Sequence, residues 1–187
     1  MARPRKHDTT DILDAAMQVF WELGYDRTTT SDLERATGVR RGSLYNTYAD
    51  KRGLYLAVLE HYGAKEMTAA ADLFLYATHA SDAARSLFDG AAAAADQSPL
   101  RGCLMCDAAI DQATKDPEIA ERVQAWIATL RDAIIQRVEQ DGRPDQAEHM
   151  ANAAVASYYG LKVLIKAGAP RAQLQSIADQ AVEALAN

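Results

Sequence analysis

The chain has 187 residues and a formal net charge of −6, enough for one compact domain or a small domain joined to a larger one. Apolar types make up 49% and charged types 25%, which excludes a disordered chain, and two cysteines are too few for a disulfide scaffold. No stretch nears the ~18 apolar residues of a membrane span, and the basic start Arg3-Pro4-Arg5-Lys6 leads into polar residues, unlike a secretory leader.

A soluble cytoplasmic protein is expected. Its 38 Ala against 8 Val and 8 Ile favour helix over strand, so the fold should be all-α.

Helical periodicity begins with Ile12, Ala15, Ala16, Val19, Phe20 and Leu23, and Gly24 stops it. In Thr28-Thr29-Thr30-Ser31, Thr29 with Asp32 or Ser31 with Glu34 can form a capping box, so the start of the second helix stays open between them. Gly38 closes that helix within two turns. Arg41 to Tyr48 is another short helix, and Asp50 can cap a fourth carrying Leu54, Val58, Leu59 and Tyr62. An Ala-rich helix near 81–96 ends before Ser98-Pro99 and Gly102. Asp116-Pro117 reads as an N-cap followed by Pro at the first helical position, opening a stripe of Ile119, Val123, Trp126, Ile127, Leu130, Ile134 and Val138. Asp141-Gly142-Arg143-Pro144 ends it. Two further helices, separated by Gly168-Ala169-Pro170, complete a count of about nine.

Charge is uneven along this array. Residues 1–62 are balanced, with nine basic and nine acidic side chains, and the remainder carries the whole excess of acid. Within the balanced part the cations cluster. Arg3, Arg5 and Lys6 precede the first helix, while Arg35, Arg40, Arg41, Lys51 and Arg52 gather round a second spot with only Asp50 opposing them. A basic patch at one end of an acidic protein suits nucleic acid; a solvated mixed-charge surface is the plainer reading.

Two short helices joined by a glycine turn inside a three-helix block form a helix-turn-helix. Leu33 and Ala36 belong to its first helix, and Leu44 faces inward from the second. Arg41, Ser43, Tyr45, Asn46 and Thr47 are left on or beside the surface, and these types bond phosphates and base edges. The run Gly24-Tyr25, Thr28-Thr29, Asp32-Leu33, Gly38 through Tyr48, and Asp50-Lys51 resembles the N-terminal domain of TetR/AcrR-type transcriptional regulators over roughly residues 9–62.

The resemblance implies a homodimeric, ligand-responsive repressor of double-stranded operator DNA. Residues 1–50 would be the helix-turn-helix domain and residues 51–187 the helical effector-binding and dimerisation domain. It implies that Thr29 and Ser31 touch the DNA backbone and that Arg41, Gly42, Ser43, Tyr45, Asn46 and Thr47 form the recognition surface. It also implies that Lys51 grips a phosphate, together with neighbouring main-chain N–H groups. Arg40 stands where Ser commonly caps the recognition helix, which weakens the cap and adds a cation. Asn46 and Thr47 replace a frequent His-Tyr pair, so the operator sequence does not carry over.

Outside this head, Cys103 and Cys106 lie one helical turn apart. They are either small buried hydrophobes or reactive thiols near a helix N-terminus, suited to redox or electrophile sensing. Without a βαβ context, a Gly-rich loop or further ligands, they make neither a thiol enzyme nor a closed metal site. No cofactor, metal or catalytic residue is expected. The resemblance places an effector pocket among the middle helices, with Tyr62, Met67, Phe74, Phe88, Leu104, Met105, Trp126 and Leu130 as candidates. That set suits an apolar or aromatic small molecule. Two long amphipathic C-terminal helices suggest a four-helix dimer interface through Tyr158, Leu161, Ile165, Leu174, Ile177 and Leu185.

Overall fold

In the computed structural model, which describes residues 9–97 and 102–186, the chain is helical throughout. The helices are α1 (Thr9–Leu23), α2 (Thr30–Thr37), α3 (Arg41–Tyr48), α4 (Lys51–Tyr62), α5 (Thr68–Tyr76) and α6 (Ala80–Gln97), followed by α7 (Leu104–Asp111), α8 (Pro117–Gln140), α9 (Ala147–Lys166) and α10 (Arg171–Ala186). One π-helical turn, Gly63–Met67, joins α4 to α5 without a break. The two therefore make one rod, and the number of rods matches the nine read from the sequence. The basic residues Arg3, Arg5 and Lys6, and the Ser98-Pro99 break, lie outside the described residues.

Local rules account for the ends of the elements. Thr29 and Asp32 form the capping box of α2, which decides between the two pairs that the sequence left open. Gly38 ends α2 in the left-handed conformation at φ 67°. Asp116 accepts from the main-chain N–H groups of Glu118 and Ile119, with Pro117 in the first turn, as the Asp-Pro step indicates.

Apolar faces gather into two cores. The first joins Ala16, Phe20, Leu33, Leu44, Leu54, Leu59 and Tyr62 to Met67, Cys103, Leu104, Met105, Ile119 and Val123. The second holds Phe74, Phe88, Leu130, Ile134, Tyr158, Leu161, Ile165, Leu174 and Leu185, where α5, α6, α8, α9 and α10 pack together. The first core runs without interruption from the helix-turn-helix through α4 into α7 and the start of α8. Packing therefore does not divide at residue 50, where the sequence reading drew its boundary.

The C-terminal stripe also has a different use from the one expected. Tyr158, Leu161, Ile165, Leu174 and Leu185 are buried within the chain's own second core, and Ile177 packs against it. Residues so buried have little surface left for a symmetry mate, while Ile177 is only partly buried. The reason is that α9 and α10 cover α6 and α8 with their most apolar faces. This leaves Ala153, Ala156, Gly160 and Val163 outward on α9.

Candidate nucleic-acid interface

The outer surface of the helix-turn-helix is set by α3. Leu44 is buried under it, which turns Arg41, Gly42, Ser43, Asn46 and Thr47 outward and leaves Tyr45 half-buried. Arg40 precedes the helix in extended conformation, exposed and without a side-chain cap. The missing cap is supplied from α2: the Arg41 main-chain N–H donates to Glu34 Oε1 at 2.5 Å. No short-range spacing signals this, because the donor lies seven residues on and across the turn.

Tyr45 ties α3 to the start of α2, its hydroxyl 2.9 Å from Thr30 Oγ1, and the Arg41 guanidinium lies over its ring, 5.6 Å from the centre. Thr47 donates back to the Ser43 carbonyl at 3.2 Å. Ser31 is exposed beside the exposed Thr29, whose hydroxyl is held by Asp32 at 2.6 Å. Those Thr29 hydrogen bonds, side chain first and main chain next, hold the Asp32 carboxyl below its usual range.

The joint between α3 and α4 is strained. Ala49 has φ 69° and ψ −57°, and the Asp50 N–H donates to the Tyr48 carbonyl at 2.9 Å. This is a γ-turn of the rare positive-φ kind. A Cβ on Gly53 would lie 1.9 Å from the same Tyr48 carbonyl oxygen, so glycine is needed there.

Lys51 is placed differently from the implied phosphate clamp. Its ammonium donates to the Tyr25 and Thr28 carbonyls, both at 3.0 Å, and sits 4.5 Å from the centre of the Tyr25 ring. It satisfies the turn after α1, leaving one of its three protons. One of the main-chain N–H groups expected to help it is engaged too, since the Asp50 carboxylate accepts from Gly53 N at 2.8 Å and so brings a negative charge to the start of α4.

Arg52 also leaves the basic spot. It forms a bidentate pair with Asp116 at 2.5 and 2.9 Å and reaches Glu118 at 2.7 Å. Hydrogen bonding to Arg52 holds both carboxyls below their usual range. Arg35 pairs with Asp32 at 2.9 Å. Among the described residues, Arg40, Arg41 and Lys51 are the cations of this spot with no carboxylate partner; Lys51 is turned to main-chain carbonyls, and Arg40 and Arg41 stand beside the neutral donors Ser43, Asn46 and Thr47.

The face resembles a known one. The model of the family described as bacterial regulatory proteins, tetR family, matches residues 12–58. The HTH-type transcriptional regulator YezE of Bacillus subtilis is 33% identical, over 71% of this chain and 69% of its own. The chain belongs to the TetR family. It is a transcriptional regulator with a helix-turn-helix head, not an enzyme. The HTH-type transcriptional repressor ComR of Escherichia coli is 28% identical to this TetR-family chain, covering 94% of it and 88% of ComR. In structure, a cysteine mutant of the TetR family regulator CifR, complexed with 26-bp double-strand operator DNA, matches it with a TM-score of 0.82 and 26% identity, covering 97% of this chain and 98% of that one.

The body of this TetR-family chain does not bring the eight expected pocket residues together. Phe74, Phe88 and Leu130 lie in the second core, and Tyr62, Met67, Leu104 and Met105 in the first. Trp126 packs over Gly63, where a Cβ would come within 2.2 Å of its ring, and borders a cleft of about 400 Å³ with Glu60, Glu118, Glu121 and Arg122. An apolar stripe on a helix serves core and cavity alike, so the sequence pattern did not separate them. Cys103 and Cys106 do lie together, at the N-terminus of α7, and line a second cleft. Among the described residues, no group of three or more His, Cys, Asp or Glu is arranged to hold a metal ion, and no helix is long and apolar enough to cross a membrane.

Proposed function

We propose that this chain is a cytoplasmic repressor that binds operator DNA as a homodimer and releases it when an effector reacts with or occupies the helical body. One observation carries the DNA reading: around the buried Leu44, α3 presents Arg41, Ser43, Asn46 and Thr47 with no carboxylate among them. Arg41 and Ser43 suit phosphates, and Asn46 and Thr47, at mid-helix, suit base edges in the major groove. The half-buried Tyr45 fixes the angle of α3 against α2 through Thr30. CifR bound to operator DNA and ComR as a repressor support the same reading by similarity.

A dimer supplies two reading heads for one operator. The outward α9 face, with Ala156, Gly160 and Val163, is small and apolar enough for close helix packing, and it takes the place of the buried stripe first expected. The functional division is a head up to residue 50 on a body from residue 51, even though one core spans both. Effector release then requires a coupling of about 1–3 kcal/mol between body and head.

The test is fluorescence anisotropy with DNA from upstream of its own gene against random duplex. Specific binding should exceed random binding by about a thousandfold or more at physiological salt. Equal affinity for both duplexes would refute the reading. Gly160→Glu should yield monomers in sedimentation and lose the specific complex.

A further inference from the structure

We propose that the cleft between α4 and α8 is the effector site of this regulator, and that it takes a small aromatic cation, with its ring against Trp126 and its charge between Glu60 and Glu121. The consequence for DNA rests on the repressor reading above; the binding chemistry rests on the cleft alone.

The cleft is built on one outer stripe of α8. Glu118, Glu121, Arg122, Ala125 and Trp126 recur at helical spacing, and Glu60 faces them from the last turn of α4. Its volume of about 400 Å³ falls in the range of sites for small organic ligands. Trp126 is the aromatic wall. It is half-buried, its indole rests on Gly63, where a Cβ would come within 2.2 Å of the ring, and its Nε1–H donates to Glu60 at 3.3 Å. The ring is therefore held in place before any ligand arrives, and Ala125 beside it carries only a methyl group.

Charge in the cleft is unbalanced. Three carboxylates face one guanidinium, that of Arg122, which donates from Nη1 to Glu60 at 3.3 Å and from Nη2 to Glu118 at 3.2 Å. Glu118 is held by Arg52 as well, at 2.7 Å. Glu121 is exposed and has no cation partner among the described residues. Arg122 is an imperfect counter-ion, because its Nε–H is buried without an acceptor. Among the described residues no three carboxylates are arranged to hold a metal ion, so the negative charge suits a diffuse organic cation instead. An indole beside carboxylates attracts such an ion twice, by its ring quadrupole and by Coulomb attraction to the acid. A merely solvated acidic face has no use for a seated indole or a concave wall.

The site lies on the path to the reading head. Arg122 bridges the end of α4, at Glu60, to the start of α8, at Glu118, and Arg52 joins Glu118 to the start of α4. A cation that takes Glu60 competes with Arg122 for it and opens that bridge. Arg52 is then the remaining ion-pair tie between α4 and α8 among the described residues. The start of α4 also holds Lys51 against the turn after α1, so a changed tilt of α4 reaches α2 and α3. No covalent bond forms, and the effector leaves as it came.

The experiment uses the full chain and benzyltrimethylammonium as the probe, with benzyl alcohol for the ring alone and tetramethylammonium for the charge alone. The protein has two tryptophans, so Trp21→Phe leaves Trp126 as the reporter. The probe should quench Trp126 saturably, with a Kd below about 1 mM, and bind at least about tenfold more tightly than either control. Glu121→Gln, outside the ion-pair bridge, should weaken binding about two- to fivefold, and Trp126→Leu, read by calorimetry, about tenfold. At saturation, retention of its upstream DNA should fall at least about fivefold, and Glu121→Gln should shift the half-effect concentration by the same factor as binding. No saturable binding, binding equal to that of either control, or unchanged affinity in both Glu121→Gln and Trp126→Leu overturns the proposal, and so does undiminished DNA retention at saturation. Wild-type calorimetry with the probe and the two controls judges the site even if a variant fails to fold. If the untreated protein ignores the DNA, the repressor reading fails, while the calorimetry still decides the site.

Discussion

The main-chain N–H of Arg41 donates to the Glu34 carboxylate across the helix-turn-helix, at 2.5 Å. A helix whose N-cap residue is arginine thus borrows its cap from the preceding helix, and the angle between α2 and α3 depends on that bond. Glu34→Ala should cost about 1 kcal/mol, the usual worth of a lost cap, and lower the melting temperature by about 2–4 °C. DNA affinity should fall with the salt dependence unchanged, since no phosphate contact is removed. Calorimetry and a salt titration of binding check both. Wild-type melting in Glu34→Ala would show that the cap is idle.

At the α3–α4 joint, Ala49 occupies a positive-φ γ-turn that costs about 1–3 kcal/mol for a residue with a side chain. Ala49→Gly should stabilise the chain, by about 1 kcal/mol after the greater unfolded-state entropy of glycine is subtracted. Gly53→Ala should do the reverse, because its methyl group would meet the Tyr48 carbonyl at 1.9 Å. Urea denaturation of the two variants should move the midpoint in opposite directions. Loss of stability in Ala49→Gly would show that the strain is not stored there.

These features mark where the sequence was legible. Apolar spacing, Gly38, the Asp116-Pro117 step and the dense run from Gly38 to Tyr48 are local signals, and they gave the helices and the reading head. Lys51, Arg52 and Glu34 were not legible, because their partners lie far away in sequence or across a turn. Tyr158, Leu161 and Phe74 carry the pattern of any buried helix face. Whether such a face meets its own core, a ligand or a second chain depends on tertiary packing, which periodicity does not encode.

Contacts in the reading head should divide by role. Asn46→Ala or Thr47→Ala should weaken specific DNA by about 1–3 kcal/mol and random DNA much less, if each addresses a base edge. Lys51→Ala should instead lower folding stability, by about 1–2 kcal/mol for two lost charge-assisted hydrogen bonds, and weaken all duplexes alike. Parallel melts and binding isotherms separate the two effects. Uniform losses for Asn46→Ala and Thr47→Ala would mean that α3 does not lie in the major groove.

Arg52 fastens α4 to the N-terminus of α8 through Asp116 and Glu118. Both carboxyls are held below their usual range, foremost by hydrogen bonding to Arg52. A carboxyl depressed in the folded state adds stability above its unfolded value, about 4, and loses it as pH falls through the folded value. Asp116→Asn keeps a capping side chain and removes the charge. It should therefore be less stable than wild type at neutral pH, and the difference should shrink as pH falls below the unfolded carboxyl value and through the lower folded one. A constant difference from neutral pH into acid would assign the effect to packing instead.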